Sequence, residues 1–121
     1  MSLVAIWVDH QQANIFKFTP DGIKKGVIEG HFSNHHTHKM DSREEQIHEE
    51  QLFKELIPQL SDAKELLILG PGLTKVHFKK YLEKHSTVMG KMIVGCETTD
   101  HPTEPQLMSL ASTFFNSEHL K

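Results

Sequence analysis

With 121 residues, 37% of them hydrophobic and 24% charged, the chain has the size and balance of one small globular domain with a modest core. Its net charge of −3, counted with His neutral, excludes a bulk electrostatic attraction to nucleic acid but leaves room for a local basic patch. The single cysteine, Cys96, excludes an intrachain disulfide, and no apolar run approaches the roughly 20 residues that span a bilayer.

Leu3 to Val8 reads as a buried strand, rich in β-branched and aromatic residues. It runs straight into Asp9, with no basic segment or cleavage site before it, so a cytoplasmic location is expected. Asp9-His10-Gln11-Gln12 turns the chain, and Ala13 to Phe18 completes a hairpin. Pro20-Asp21-Gly22 is a second turn, because Pro fixes φ and Gly tolerates a positive one. Ile23 to Ile28 is a third strand, and Lys24 and Lys25 mark it as an exposed edge. Such an edge invites pairing with a second copy, so a homodimer is one expectation.

Residues 30–41 show no periodicity and hold four of the ten histidines, His31, His35, His36 and His38. They read as a loop. Ser42-Arg43-Glu44-Glu45 fits a capping box, and Ile47, Leu52, Phe53, Leu56, Ile57 and Leu60 follow at helical spacing until Pro58 ends the helix. Glu65 to Leu69 suits a central strand covered on both faces. Gly70-Pro71-Gly72 breaks it. Thr74 to Lys84 is an amphipathic helix with Val76, Phe78, Tyr81 and Leu82 inward. Lys91 to Cys96 is the last strand, with Cys96 a reduced core residue. Thr103-Glu104-Pro105-Gln106 resembles a second capping box, and Leu107, Leu110, Ala111, Phe114 and Phe115 give the last helix its core face.

The order is therefore β-β-β-α-β-α-β-α. A meander followed by right-handed crossovers gives one mixed five-stranded sheet with helices packed on it, an α/β three-layer domain of RNase H-like type spanning residues 1–121.

Four stretches carry a family resemblance. "VAIWVDHQQANIFKF" resembles the opening hairpin of the middle domain of the archaeo-eukaryotic release factors and Pelota. "EEQIHEEQLFKELIPQL" is similar to the helix after that domain's catalytic loop. "LLILGPGLTKVHFKKYLEKH" and "KMIVGCETTDHPTEPQLMSLA" are similar to its later strand-turn-helix units. The chain looks like the small bacterial relatives of this domain. The resemblance implies the RNase H-like fold and a connection with translation. Release factors carry Gly-Gly-Gln between the third strand and the first helix. This chain has Gly30-His31-Phe32-Ser33-Asn34-His35-His36-Thr37-His38-Lys39 there instead. Peptidyl-tRNA hydrolysis by their mechanism is therefore not expected. What the resemblance leaves is a non-catalytic accessory that binds the ribosome, tRNA or a translation factor.

Four constellations could carry chemistry. Imidazoles stack on bases, and protonated ones meet phosphate, so His35, His36 and His38 with Lys39 and Arg43 are a candidate RNA or partner contact. His31, His35, His36 and His38 also form a candidate site for zinc or another divalent transition metal, with His48 able to complete it. No other cofactor is expected. Residues 30–41 lack the rigidity and the thiolates of structural zinc sites, so a solvated loop is the plain alternative.

Asp9, Glu45 or Glu49, and Asp100 could supply a two-metal nuclease. The fourth strand ends in glycine where that pattern wants an acid, so a turn aspartate and a solvated helix face are the expected reading. Gly70, Gly72, Thr74 and Lys75 could cradle an anion at a helix start, or merely form a tight turn. Asp100-His101 could orient an imidazole, although no nucleophile motif stands ready for it. His77 reads as a surface residue.

Overall fold

The computed structural model describes residues 2–29, 42–100 and 102–119. Strands β1 (Ser2–Val8), β2 (Gln12–Thr19) and β3 (Gly22–Glu29) form an antiparallel meander. Helix α1 (Ser42–Leu56) passes into a 3-10 turn (Ile57–Leu60) and then β4 (Ala63–Gly70). Helix α2 (Thr74–His85), a short α3 (Thr87–Met92), β5 (Ile93–Thr98) and α4 (Glu104–His119) complete the chain. The sheet order is β3-β2-β1-β4-β5, with β1, β4 and β5 parallel. This is the five-stranded mixed sheet flanked by helices that the sequence predicts.

Side-chain alternation divides the core between the two faces of the sheet. Val4, Ile6 and Val8 of β1 join Leu66 and Ile68 of β4 on one face, under Leu52, Phe53 and Leu56 of α1 and Phe78 and Leu82 of α2. Ala5, Trp7, Leu67 and Leu69 point the other way, under Leu107, Ala111 and Phe115 of α4. The two central strands are thus covered on both faces, which is why they read as continuous apolar runs. The edge strand β3 is exposed at every position except the partly buried Ile28, as its lysines suggest.

Three local expectations change. Lys91 and Met92 belong to α3, and the last strand starts at Ile93. Ser86 is the reason: its hydroxyl accepts from the Met89 N–H and caps a helical turn, while Met89 and Met92 pack on the core. Ile47 is 48% exposed rather than inward, and Leu110 is 38% exposed beside the deeper Leu107 and Ala111. Glu49 is buried rather than solvated, with 8% of its surface exposed. The second capping box forms as expected, since Gln106 Oε1 accepts from the Thr103 N–H at 2.9 Å and the Gln106 N–H reaches back to Thr103 Oγ1 at 3.4 Å. The capping box at Ser42 and Glu45 involves side chains outside the described set.

Candidate nucleic-acid interface

The strand directions bring one set of segments to one end of the sheet. Val8 ends β1, Glu29 ends β3 opposite Gln12, Gly70 ends β4, and Thr98 pairs with Gly70 at the end of β5. The chain leaves β1 toward β2 and leaves β4 toward β5, so the boundary between β1 and β4 is a switch point of the topology. Ligands of open α/β sheets bind outside the carboxyl ends of strands at such points. Glu29, after which the sequence continues through residues 30–41 to Ser42, lies at this end.

His31, His35, His36, His38 and Lys39 lie outside the described residues, so their sites are not located. Arg43 stands exposed at the start of α1. Gly70 is pressed against β1: a Cβ there would overlap the Val8 carbonyl oxygen, and its φ is +156°. Gly72, at φ +57°, has open space around it and serves the turn alone. Lys75 is 5% exposed, and its ammonium donates back to the Gly72 carbonyl. It braces the turn from behind.

A carboxyl side chain from α1 stands at the start of α2. Its N-cap position, Leu73, offers no side-chain acceptor. Glu49 reaches across from α1, its Oε2 accepting from Thr74 Oγ1 at 2.8 Å and its Oε1 lying 2.8 Å from His77 Nδ1. A carboxylate at a helix N-terminus complements the free N–H groups and the helix dipole. Glu49 thus ties α1 to the first turn of α2 through two side-chain partners. A carboxylate oxygen accepts, so His77 Nδ1 is the donor of this pair. His77 is half exposed, a surface residue with a fixed ring.

Asp9 works in the turn, where its Oδ1 accepts from the N–H groups of Gln11 at 2.8 Å and Gln12 at 2.9 Å. Asp100 is exposed, and its backbone carbonyl accepts from the Trp7 indole at 3.0 Å. Among the described residues, no group of three His, Cys, Asp or Glu side chains could hold a metal ion. His101 lies outside the described set.

The sequence reading missed a cleft between α1 and α2, about 530 Å³ in volume. Gln46, Glu49, Glu50 and Phe53 line it from α1. The α2 wall is made by two stripes at four-residue spacing, His77-Tyr81-His85 and Lys80-Lys84. Tyr81 sits 4.2 Å from His85 and 5.3 Å from Phe53 by ring centroids. Burial raises the Tyr81 phenol above its usual pKa, and the Glu50 charge adds to this. That spacing was the available signal.

No protein-family model matches the chain. A Pelota homolog from Methanococcus aeolicus is 27% identical over 101 residues, covering 82% of this chain and 28% of that protein. The crystal structure of Archaeoglobus fulgidus Pelota superposes with a TM-score of 0.61 at 17% identity, over 93% of this chain and 31% of its own. An archaeal translation termination factor, aRF1, gives a TM-score of 0.60 at 18% identity, over 98% of this chain and 40% of its own. No helix among the described residues is long and apolar enough to cross a membrane. The chain thus spans about a third of the length of these proteins and bears a distant, domain-sized resemblance to Pelota and the archaeal release factor, with their fold.

Proposed function

We propose that this protein is a non-catalytic, translation-associated accessory that binds the ribosome, tRNA or a translation factor through the carboxyl end of its sheet. The contact surface on this reading is the segment 30–41, with His35, His36, His38 and Lys39, together with Arg43 and the turn from Gly70 to Gly72. Lys75 holds the shape of that turn.

One observation carries the reading. The resemblance to Pelota and aRF1 runs through almost the whole chain, and segment 30–41 follows Glu29, which lies at the sheet end where α/β domains recruit ligands. The use of Asp9 as a turn acceptor weighs against a nuclease built on it.

The test is sedimentation of native lysates on sucrose gradients, with the protein followed by immunoblot beside a variant in which His31, His35, His36 and His38 are alanine. Co-migration with a ribosomal particle, lost in the variant, is the expected result. A protein that stays at the top of the gradient at low salt refutes the role. In that event zinc binding lost in the same variant would identify segment 30–41 as a metal site instead.

A further inference from the structure

The cleft between α1 and α2 has a chemistry that the translation reading does not use. Its aromatic wall is a ladder of rings rooted in the core. Phe78 is fully buried, Phe53 lies 5.0 Å from it, Tyr81 follows at 5.3 Å and His85 at 4.2 Å. The ladder surfaces at His85, which is exposed. A flat ligand meets a platform held rigid from below, so little freedom is lost on binding.

The polar groups divide by sign. On the α1 wall the groups are acceptors. Glu50 is an exposed carboxylate whose Oε1 takes one long bond of 3.4 Å from the Gln46 amide, leaving Oε2 and the Gln46 carbonyl oxygen open. On the outer rim stand Lys80 and Lys84, one helical turn apart and both exposed. Neither forms an ion pair among the described residues.

The complementary ligand is flat, rich in donors on one edge, and anionic at the other end. A volume of about 530 Å³ suits a molecule of nucleotide size. Among the common bases, guanine alone places an N–H and an adjacent NH₂ on one edge, a pair that a carboxylate can accept together. We propose that this cleft binds a guanine nucleotide, the base against His85 and Tyr81, its donor edge on Glu50, and its phosphate on Lys80 and Lys84. The nucleotide is either free or one residue of a single-stranded RNA, where stacking on an aromatic platform is the usual mode.

An amide NMR titration of the ¹⁵N-labelled full chain with GMP, UMP and guanosine tests this. GMP should shift cleft amides and bind about tenfold more tightly than UMP, as expected for one well-made bidentate base contact. Glu50→Gln, an exposed and shape-conserving change, should remove that preference. The double variant Lys80→Gln, Lys84→Gln should weaken GMP and leave guanosine unchanged. A short single-stranded RNA with one G that binds at least about tenfold more tightly than GMP assigns the strand as the source, and equal affinity assigns the free nucleotide. The absence of cleft shifts at millimolar GMP overturns the proposal. So does a guanine preference that survives Glu50→Gln in a variant with a native spectrum. Gradient sedimentation plays no part in this test, so the translation role and the cleft stand or fall separately.

Discussion

Glu49 Oε1 and His77 Nδ1 meet at 2.8 Å although they lie on different helices, with Thr74 held on the other carboxylate oxygen at the same distance. One buried side chain thereby joins α1 to the first turn of α2 and fixes an imidazole at the mouth of the cleft. Glu49→Ala should cost about 1–3 kcal/mol in urea denaturation, because it leaves the buried Thr74 hydroxyl without its acceptor and breaks the link to His77. Glu49→Gln keeps an acceptor for Thr74 and should cost less. Equal stability of Glu49→Ala and the parent would show that this bond contributes nothing to the fold.

Gly70 and Gly22 make a matched pair. Both have φ above zero, +156° and +131°, but only at Gly70 would a Cβ strike backbone, the Val8 carbonyl of the neighbouring central strand. Gly22→Ala should lose about 1–2 kcal/mol to conformational strain alone. Gly70→Ala should lose more, with a further overpacking cost of about 1–3 kcal/mol. Thermal melts of the two variants side by side check the order, and a Gly70→Ala protein as stable as Gly22→Ala would contradict it.

Asp9→Ala removes the acceptor of two turn N–H groups. A loss of about 1 kcal/mol is expected in denaturant titration, with the hairpin between β1 and β2 the site of increased amide exchange. Asp9→Asn retains a side-chain acceptor and should recover part of the loss.

Two groups make the fold weaker in alkali. Burial raises the Cys96 thiol, with Glu97 adding a little and Lys75 and Lys79 opposing, and burial followed by the Glu50 charge raises the Tyr81 phenol. A raised folded pKa means that the folded state holds its proton longer than the unfolded chain does. The stabilisation is complete below the unfolded pKa and is lost as pH climbs through the folded one. Stability should therefore be level through neutrality and fall from about pH 9 upward, first through Cys96 and then through Tyr81. Cys96→Ala should flatten the first part of the decline. The same burial should make Cys96 slower than a free thiol toward iodoacetamide at pH 8, with rapid labelling restored in urea.

The sheet was legible because its strands carry their own punctuation. β-branched runs end at Asp9, at Pro20-Asp21-Gly22 and at Gly70-Pro71-Gly72, and the alternation of Val4, Ile6 and Val8 against Ala5 and Trp7 states that both faces are covered. Helix α3 was not legible, since Thr87, Val88 and Gly90 are poor helix formers and the Ser86 cap with core packing decides the matter. Glu49 was unreadable for another reason. It sits in a charge-rich helix among solvated neighbours, and its partner Thr74 stands 25 positions further on, so only the packing of two helices reveals it. The cleft was half legible: the spacing of His77, Tyr81 and His85 puts them on one face, but nothing local says that Phe53 and Glu50 face them.

The only tryptophan, Trp7, is 4% exposed and spends its indole N–H on the Asp100 carbonyl, 93 positions away along the chain. It lies at the seam where the first strand meets the approach to the last helix, on the α4 side of the sheet. The protein therefore carries a built-in optical reporter with a restricted field of view. Its emission should respond when something grips the carboxyl end of the sheet or when α4 lifts away. It should stay silent to whatever enters between α1 and α2, which pack on the opposite face. A single unlabelled fluorescence titration can thus separate events at the two surfaces.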